Sequence, residues 1–213
     1  SFDPEELARS AEAVKAELEN IGLFDFVEIR NAAKPDGTPG APAVLARRAG
    51  AADAPHVLLY AHHDVQPPGK SELWNTDPFE ATQVGERLYG RGASDDKAGI
   101  ITHVYALKAL STLAGDLRLG VTVFIEGEEE AGSESFLNFL QENQSELASD
   151  LIVVADSGNW STEVPALTAS LRGVVSQTLT VKTLDHALHS GMYGGPVPDA
   201  MTAMIKLLAT LTD

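Results

Sequence analysis

The sequence predicts an α/β domain with a mostly parallel sheet flanked by helices, followed by the start of a smaller α+β domain. Three short apolar runs, at 57–61, 121–125 and 151–155, indicate strands that are buried on both faces. Between these runs lie two stretches with helical spacing, at 97–113 and 134–141. Because the strands alternate with helices along the chain, the sheet is expected to be parallel.

The segment before the first apolar run adds one helix and two strands. Residues 5–19 place apolar side chains on one side of a helix, and Asp3-Pro4 suit its beginning. Strands are expected near 24–30 and at 43–47, separated by a loop rich in glycine, proline and alanine.

The pattern changes beyond about Leu171. Residues 173–183 alternate in part and predict a strand with one exposed face. A glycine- and proline-rich stretch follows, and a helix is expected over 199–211 with an apolar stripe of the kind that usually lies in a core. The stripe comprises Met201, Met204, Leu208 and Leu211.

Composition excludes several function classes. The 15 basic and 31 acidic residues give a net charge of −16, which disfavours binding to nucleic acid or to anionic membranes. Without cysteine, disulfides and thiolate metal sites are excluded, so a metal would be held by His, Asp and Glu. No apolar run approaches the roughly 20 residues of a membrane helix, and no signal-peptide pattern is recognisable. We therefore expect a cytoplasmic protein.

Polar residues follow each of the three buried runs. His62-His63-Asp64 come after the first, the acidic run 126–130 after the second, and Asp156 after the third. Ligands bind at the carboxyl ends of strands in open α/β sheets. A further acidic pair, Asp95-Asp96, precedes a predicted helix. Carboxylates crowded into one cleft need a cation, and this cysteine-free donor set suits zinc, manganese or cobalt.

Each of these groups also has a simpler interpretation. The histidines could be surface residues, Glu128 to Glu130 a solvated acidic loop, Asp95-Asp96 a helix cap, and Asp156 a turn residue. We favour a metal site because all four groups are predicted to meet at one edge of the sheet. Asp64 also suits the carboxylate that orients a metal-bound imidazole.

Five segments resemble the family of carnosinases, aminoacylases and glutamate carboxypeptidases. They are Tyr60 to Gly69, Trp74 to Glu80, Leu88 to Gly99, Glu126 to Ser133 and His189 to Gly195. They occur in the family's order and span nearly the whole chain. The segments 60–69 and 90–99 look most like the dipeptidase branch.

The resemblance implies a role for each polar group. His62 and Asp156 would bind one metal ion, Glu130 the other, and Asp95 both, with a cis peptide bond after Asp95. Glu129 would be the general base and Asp64 would orient His62. His189, in a lid domain, would stabilise the oxyanion. Ala187-Leu188 stand where the family usually has Asp-Leu, which makes His186 a rival to His189.

The implied function is hydrolysis of amide bonds with two divalent metal ions, zinc being favoured over manganese or cobalt. Dipeptides are the expected substrates, and N-acyl amino acids are the alternative. A non-catalytic metal-binding relative and a metal-free acidic α/β domain are the alternatives of another class. Neither nucleic acid nor membrane is an expected partner, and a homodimer is expected through the lid.

The resemblance also implies a domain division. Residues 1–171 would be the N-terminal part of a zinc-exopeptidase-like catalytic domain, and residues 172–213 the beginning of the lid. The family places a last histidine ligand beyond the lid. We therefore expect an N-terminal fragment that is inactive alone.

Overall fold

The computed structural model describes residues 3–113 and 117–211, apart from the side chain of Leu113. The chain divides into two compact units, residues 1–166 and 167–213. The predicted assignment of a catalytic part to 1–171 and a lid to 172–213 stays a prediction.

The first unit is built on a five-stranded sheet and a separate hairpin. The strands in chain order are β1 (Phe26–Arg30), β2 (Ala43–Arg48), β3 (His56–His62), β4 (Thr82–Val84), β5 (Arg87–Tyr89), β6 (Gly120–Glu126) and β7 (Leu151–Val154). The large sheet has the order β1-β2-β6-β3-β7, and β4 and β5 form the hairpin. β3 runs parallel to β6 and β7, and β2 is antiparallel to both of its neighbours. Four of the five strands thus share one direction, which confirms the mostly parallel sheet.

Helices cover both faces of this sheet. They are α1 (Pro4–Glu19), α2 (Lys97–Leu113), α3 (Phe136–Glu142) and α4 (Gln144–Leu147), and 3₁₀ turns lie at Ser71–Leu73 and Glu129–Ala131. The carboxylate of Asp3 caps α1 by accepting the N–H of Glu5 at 2.9 Å. Buried side chains of α1 and α2, such as Leu18 and Val104, pack with β2, β3 and β6 on one face.

An aromatic cluster fills the opposite face. Phe124 of β6 stacks on Phe139 of α3 with ring centroids 4.8 Å apart, and Tyr60 of β3 meets its ring edge-on at 5.6 Å. Phe136 packs at 6.0 Å. Side chains alternate along β6, so Val123 and Ile125 enter the first core while Phe124 enters this one. The central strands of the sheet therefore lie between two cores.

The strand β7 departs from expectation. Its continuous apolar run predicted burial on both faces, but Leu151 to Val154 are between 39% and 58% exposed. β7 is the last strand of the sheet as far as the described residues go, and it pairs with β3 alone. Its side chains therefore lack the helix cover that the inner strands have.

The second unit contains two helices, α5 (Ser190–Tyr193) and α6 (Ala200–Leu208). The predicted strand at 173–183 is wrong, because those residues adopt no regular structure. A strand needs a hydrogen-bonded neighbour, and within 167–211 the structure has only the isolated bridge between Gly194 and Val197. The apolar stripe of α6 does not form a core either: Met201 is 66% exposed and Leu208 46%. Within the described residues, no helix is both long and apolar enough to cross a membrane.

Candidate metal centre

His62 is the last residue of β3 and the centre of the polar cluster. It pairs in register with Glu126, the last residue of β6, so both strands end at the same edge. Asp156 follows two residues after the end of β7, at that edge too. The side chains of His62 and His63 are buried, so their alternative interpretation as surface histidines is wrong.

Three carboxylates face the Nε2 atom of His62. The Oδ1 atom of Asp95 lies 3.1 Å away, Oε2 of Glu129 3.9 Å, and Oδ2 of Asp156 4.0 Å. Zinc binds nitrogen and oxygen ligands at about 2.0 to 2.2 Å with tetrahedral geometry, which places ligand atoms roughly 3.3 Å apart. The distance from Nε2 to Asp95 fits two ligands of one ion, and the oxygens of Glu129 and Asp156 lie within about 1 Å of that spacing.

The electrostatics of the cluster also favour a cation. Burial by itself lowers the pKa of His62, but the hydrogen bond and charge of Asp64, together with Glu129 and Asp96, raise it to about 10. Burial raises the pKa of Glu129 and brings that of Asp96 to about 6. The neighbouring carboxylates thus favour the protonated imidazole, and Glu129 and Asp96 resist ionisation. A divalent ion would supply the positive charge that they lack.

Asp64 connects the imidazole to the acidic turn. Its Oδ1 atom lies 3.4 Å from Nδ1 of His62, and its backbone carbonyl oxygen lies 3.1 Å from the same nitrogen. The carboxylate accepts the backbone N–H of Glu129 at 3.2 Å and that of Glu130 at 2.9 Å. One buried side chain therefore sets the orientation of His62 and the position of the turn that carries Glu129 and Glu130.

The two aspartates before α2 have different environments. The peptide bond between Asp95 and Asp96 is cis, as expected. The side chain of Asp95 is 65% exposed and faces His62. Asp96 is buried, and its carboxylate accepts the N–H groups of His62 and Gly99, each at 3.2 Å. Because Gly99 lies in the first turn of α2, Asp96 caps this helix, which confirms the capping interpretation for one of the pair.

Asp96 is also a possible ligand that the sequence interpretation left out. Its carboxylate, Nε2 or Nδ1 of His62, and the carboxylate of Asp156 offer donor atoms within 4.8 Å of one another. The signal in the sequence was the Asp95-Asp96 pair itself. The sequence could not tell which carboxylate turns inward, because that depends on the backbone between them.

Glu130 contacts the polar cluster through its backbone N–H, which bonds to Asp64, and its carboxylate bonds to Gln66. Its carboxylate accepts a hydrogen bond from Nε2 of Gln66 at 2.8 Å, and its carbonyl oxygen accepts one at 3.1 Å. The sequence analysis did not identify Gln66.

His189 belongs to the second unit, where its Nδ1 accepts the N–H of Gly191 at 3.0 Å. The roles predicted for Glu130 and His189 stay predictions.

Residues 58–210 match the model of peptidase family M20/M25/M40. The chain belongs to this family. The match begins in β3, four residues before His62, and includes every polar group of the candidate centre.

Members of the M20 family among curated proteins are similar over nearly the whole chain. The Beta-Ala-His dipeptidase of Rattus norvegicus is 36% identical over 98% of this chain and 44% of its own length. The cysteinylglycine-S-conjugate dipeptidase of Corynebacterium striatum is 36% identical over 96% of this chain and 43% of its own. The chain therefore spans less than half the length of these relatives.

Solved structures agree. The structure of human carnosine dipeptidase 1 matches with a TM-score of 0.65 and 27% identity, over 100% of this chain and 47% of that one. An M20 family metallo-carboxypeptidase from Sulfolobus solfataricus matches with a TM-score of 0.61 and 30% identity, over 72% of this chain and 33% of that one. The α/β architecture with a mostly parallel sheet is thus that of M20 peptidases.

Proposed function

We propose that the protein carrying this chain is a metal-dependent hydrolase of amide bonds that acts on dipeptides. The observation that carries the proposal is the Nε2 atom of His62, which three carboxylates face at distances of 3.1 to 4.0 Å. The printed names of the rat and Corynebacterium relatives are those of dipeptidases. These names favour dipeptides over N-acyl amino acids as substrates.

The donor set divides into two groups. His62, Asp95 and Asp156 would hold one ion, and Asp95 and Glu130 would hold the second. Zinc suits nitrogen and carboxylate ligands, with manganese or cobalt as alternatives. When bound, two such ions would polarise the scissile carbonyl and lower the pKa of water.

The remaining residues would move protons and orient groups. Glu129 would take a proton from the attacking water and deliver it to the leaving amine, the role of a general base that becomes a general acid. Its side chain is 39% exposed, so solvent reaches it. Asp64 would keep Nε2 of His62 directed at the ion by accepting a hydrogen bond from the Nδ1–H of the same ring. His189 would donate a hydrogen bond to the developing oxyanion.

A non-catalytic metal-binding protein is the competing class. Glu129 favours the enzyme, because a site that only binds metal has no need of a base beside its ligands. A homodimer formed through the second unit, a cytoplasmic location and inactivity of the 213-residue chain alone stay predictions from the resemblance.

Metal content tests the proposal. The purified chain is incubated with zinc, desalted and analysed for zinc per chain, beside Asp95→Ala and the control Asp36→Ala. Asp36 is a fitting control because it lies on an exposed turn and accepts hydrogen bonds from Thr38. About one to two equivalents in the wild type and in the control, and fewer in Asp95→Ala, are expected for a site of this kind. Equal zinc in all three proteins would contradict the proposal.

A further inference from the structure

Glu128 is the one member of the acidic run 128–130 that is buried. Its side chain and backbone are only 5% exposed, and so the interpretation of the run as a solvated loop is wrong at this position. A buried carboxylate needs hydrogen bonds that replace water. Glu128 obtains them from the backbone: Oε2 accepts the N–H of Ala41 at 3.0 Å, and Oε1 accepts the N–H of Ser135 at 2.5 Å.

These two bonds close the acidic turn at its base. Ser135 lies seven residues after Glu128, so the side chain spans the loop that contains Glu129 and Glu130. The carbonyl oxygen of Glu128 accepts the N–H groups of Ala131 and Ser133 at 3.1 and 2.9 Å. The carbonyl oxygen and Oε1 of Glu128 thus bond within the segment 128–135, while Asp64 bonds to the same turn from the side of His62.

The bond to Ala41 connects the acidic turn to the segment 40–42, which also contacts His63. Residues 40–42 precede β2, and the carbonyl oxygen of Pro42 lies 2.8 Å from Nε2 of His63, the residue between His62 and Asp64. A Cβ atom at Gly127 would collide with this same carbonyl oxygen. The segment 40–42 therefore contacts both His63, beside the proposed ligand His62, and the residues 127 and 128 that begin the acidic turn.

We propose that Glu128 is a positioning residue that sets Glu129 and Glu130 against His62 by tying their turn to the segment 40–42. The inference rests on the proposed function, because it assigns Glu129 and Glu130 to the metal centre. Glu128 itself touches neither substrate nor metal ligand atoms in this role. It acts through the backbone N–H groups of Ala41 and Ser135.

The test compares Glu128→Gln with Glu134→Gln. Both remove one negative charge, but Glu134 is an exposed residue paired with Lys34 at 2.9 Å. An amide at 128 keeps one acceptor and turns an NH₂ group toward a backbone N–H, so one of the two bonds is lost. The first measurement is zinc affinity by competition with a chelating dye. The second is amide hydrogen exchange at Glu129 and Glu130 in the metal-free chain.

We expect Glu128→Gln to weaken zinc binding roughly 10- to 100-fold, as for other partners that orient ligands, and to speed exchange at Glu129 and Glu130. These two amides bond to Asp64 rather than to Glu128, so a purely local loss would leave them unchanged. Glu134→Gln should match the wild type in both measurements. If Glu128→Gln does not fold, Glu128→Asp keeps the charge, shortens the side chain and should change both measurements in the same direction.

The outcomes separate this inference from the proposed function. Wild-type affinity and exchange in Glu128→Gln would overturn the positioning role and leave the metal centre intact. A wild-type chain that binds no zinc would overturn the proposed metal site. In that case, exchange at Glu129 and Glu130 still decides whether Glu128 positions the turn.

Discussion

The Oδ2 atom of Asp64 accepts the backbone N–H of Glu130 at 2.9 Å. Because Oδ1 of the same carboxylate lies 3.4 Å from Nδ1 of His62, a change at Asp64 affects both proposed ligands. We predict that Asp64→Ala weakens zinc binding by at least about tenfold. It should also destabilise the metal-free chain by about 1 to 3 kcal/mol, because the partly buried N–H groups of Glu129 and Glu130 lose their acceptor.

Zinc competition and urea unfolding in chelator measure these two effects. Asp36→Ala is the matched control, since Asp36 is an exposed aspartate that likewise accepts a backbone N–H. Similar losses in both variants would mean that Asp64 has no special connection to the centre.

Glu129→Gln separates binding from chemistry. The substitution removes the proposed base but keeps the size of the side chain, so zinc content should remain at the wild-type level. Turnover of dipeptides by the protein that carries this chain should fall about 10²- to 10⁴-fold, the usual contribution of a general base. Glu134→Gln provides the charge-matched control. Unchanged turnover in Glu129→Gln would remove Glu129 from the mechanism.

His103 makes stability depend on pH. It is buried on α2, its Nε2 lies 2.9 Å from the carbonyl oxygen of Tyr60, and burial lowers its pKa. The folded state therefore favours the neutral ring. The unfolded chain takes up the proton near the ordinary pKa of about 6.5, so stability is complete above that pH and falls as the pH drops below it.

His103→Gln tests this dependence, because it can still donate to Tyr60 but does not titrate. Urea unfolding of the metal-free chain at pH 7.5 and pH 5 should show a smaller loss in the variant than in the wild type. His186→Gln, at an exposed position of the second unit, should lose as much as the wild type. Equal losses in all three proteins would argue against a neutral buried His103.

Phe124 holds together the core beneath the site. It is 2% exposed and packs against three aromatic rings. Phe124→Ala should destabilise the chain by about 3 to 5 kcal/mol through lost burial and a cavity. Leu137→Ala, on the same side of the sheet in α3 but 64% exposed, should cost far less. Denaturant unfolding of both variants measures the difference, and equal midpoints would contradict this packing.

Several elements were predictable because their signals are local. The helix Lys97–Leu113 has the predicted bounds, since an aspartate cap and helical spacing lie within one stretch of sequence. The strand predicted at 173–183 failed because a strand depends on a neighbour that its own residues cannot specify. The exposure of β7 has the same origin: its apolar run indicates a strand, but whether helices cover its side chains depends on residues outside that run.

The sequence alone determined the alternation of strands and helices, and with it the meeting of His62 and Asp156 at one edge. Parallel strands bring their carboxyl ends together whatever the loops between them do. Only the tertiary structure decided which acid of each group turns inward. Glu128 is buried and Glu130 is not, because a segment 87 residues earlier donates an N–H to Glu128. Neighbouring acids look alike in a sequence, and only long-range contacts give them different environments.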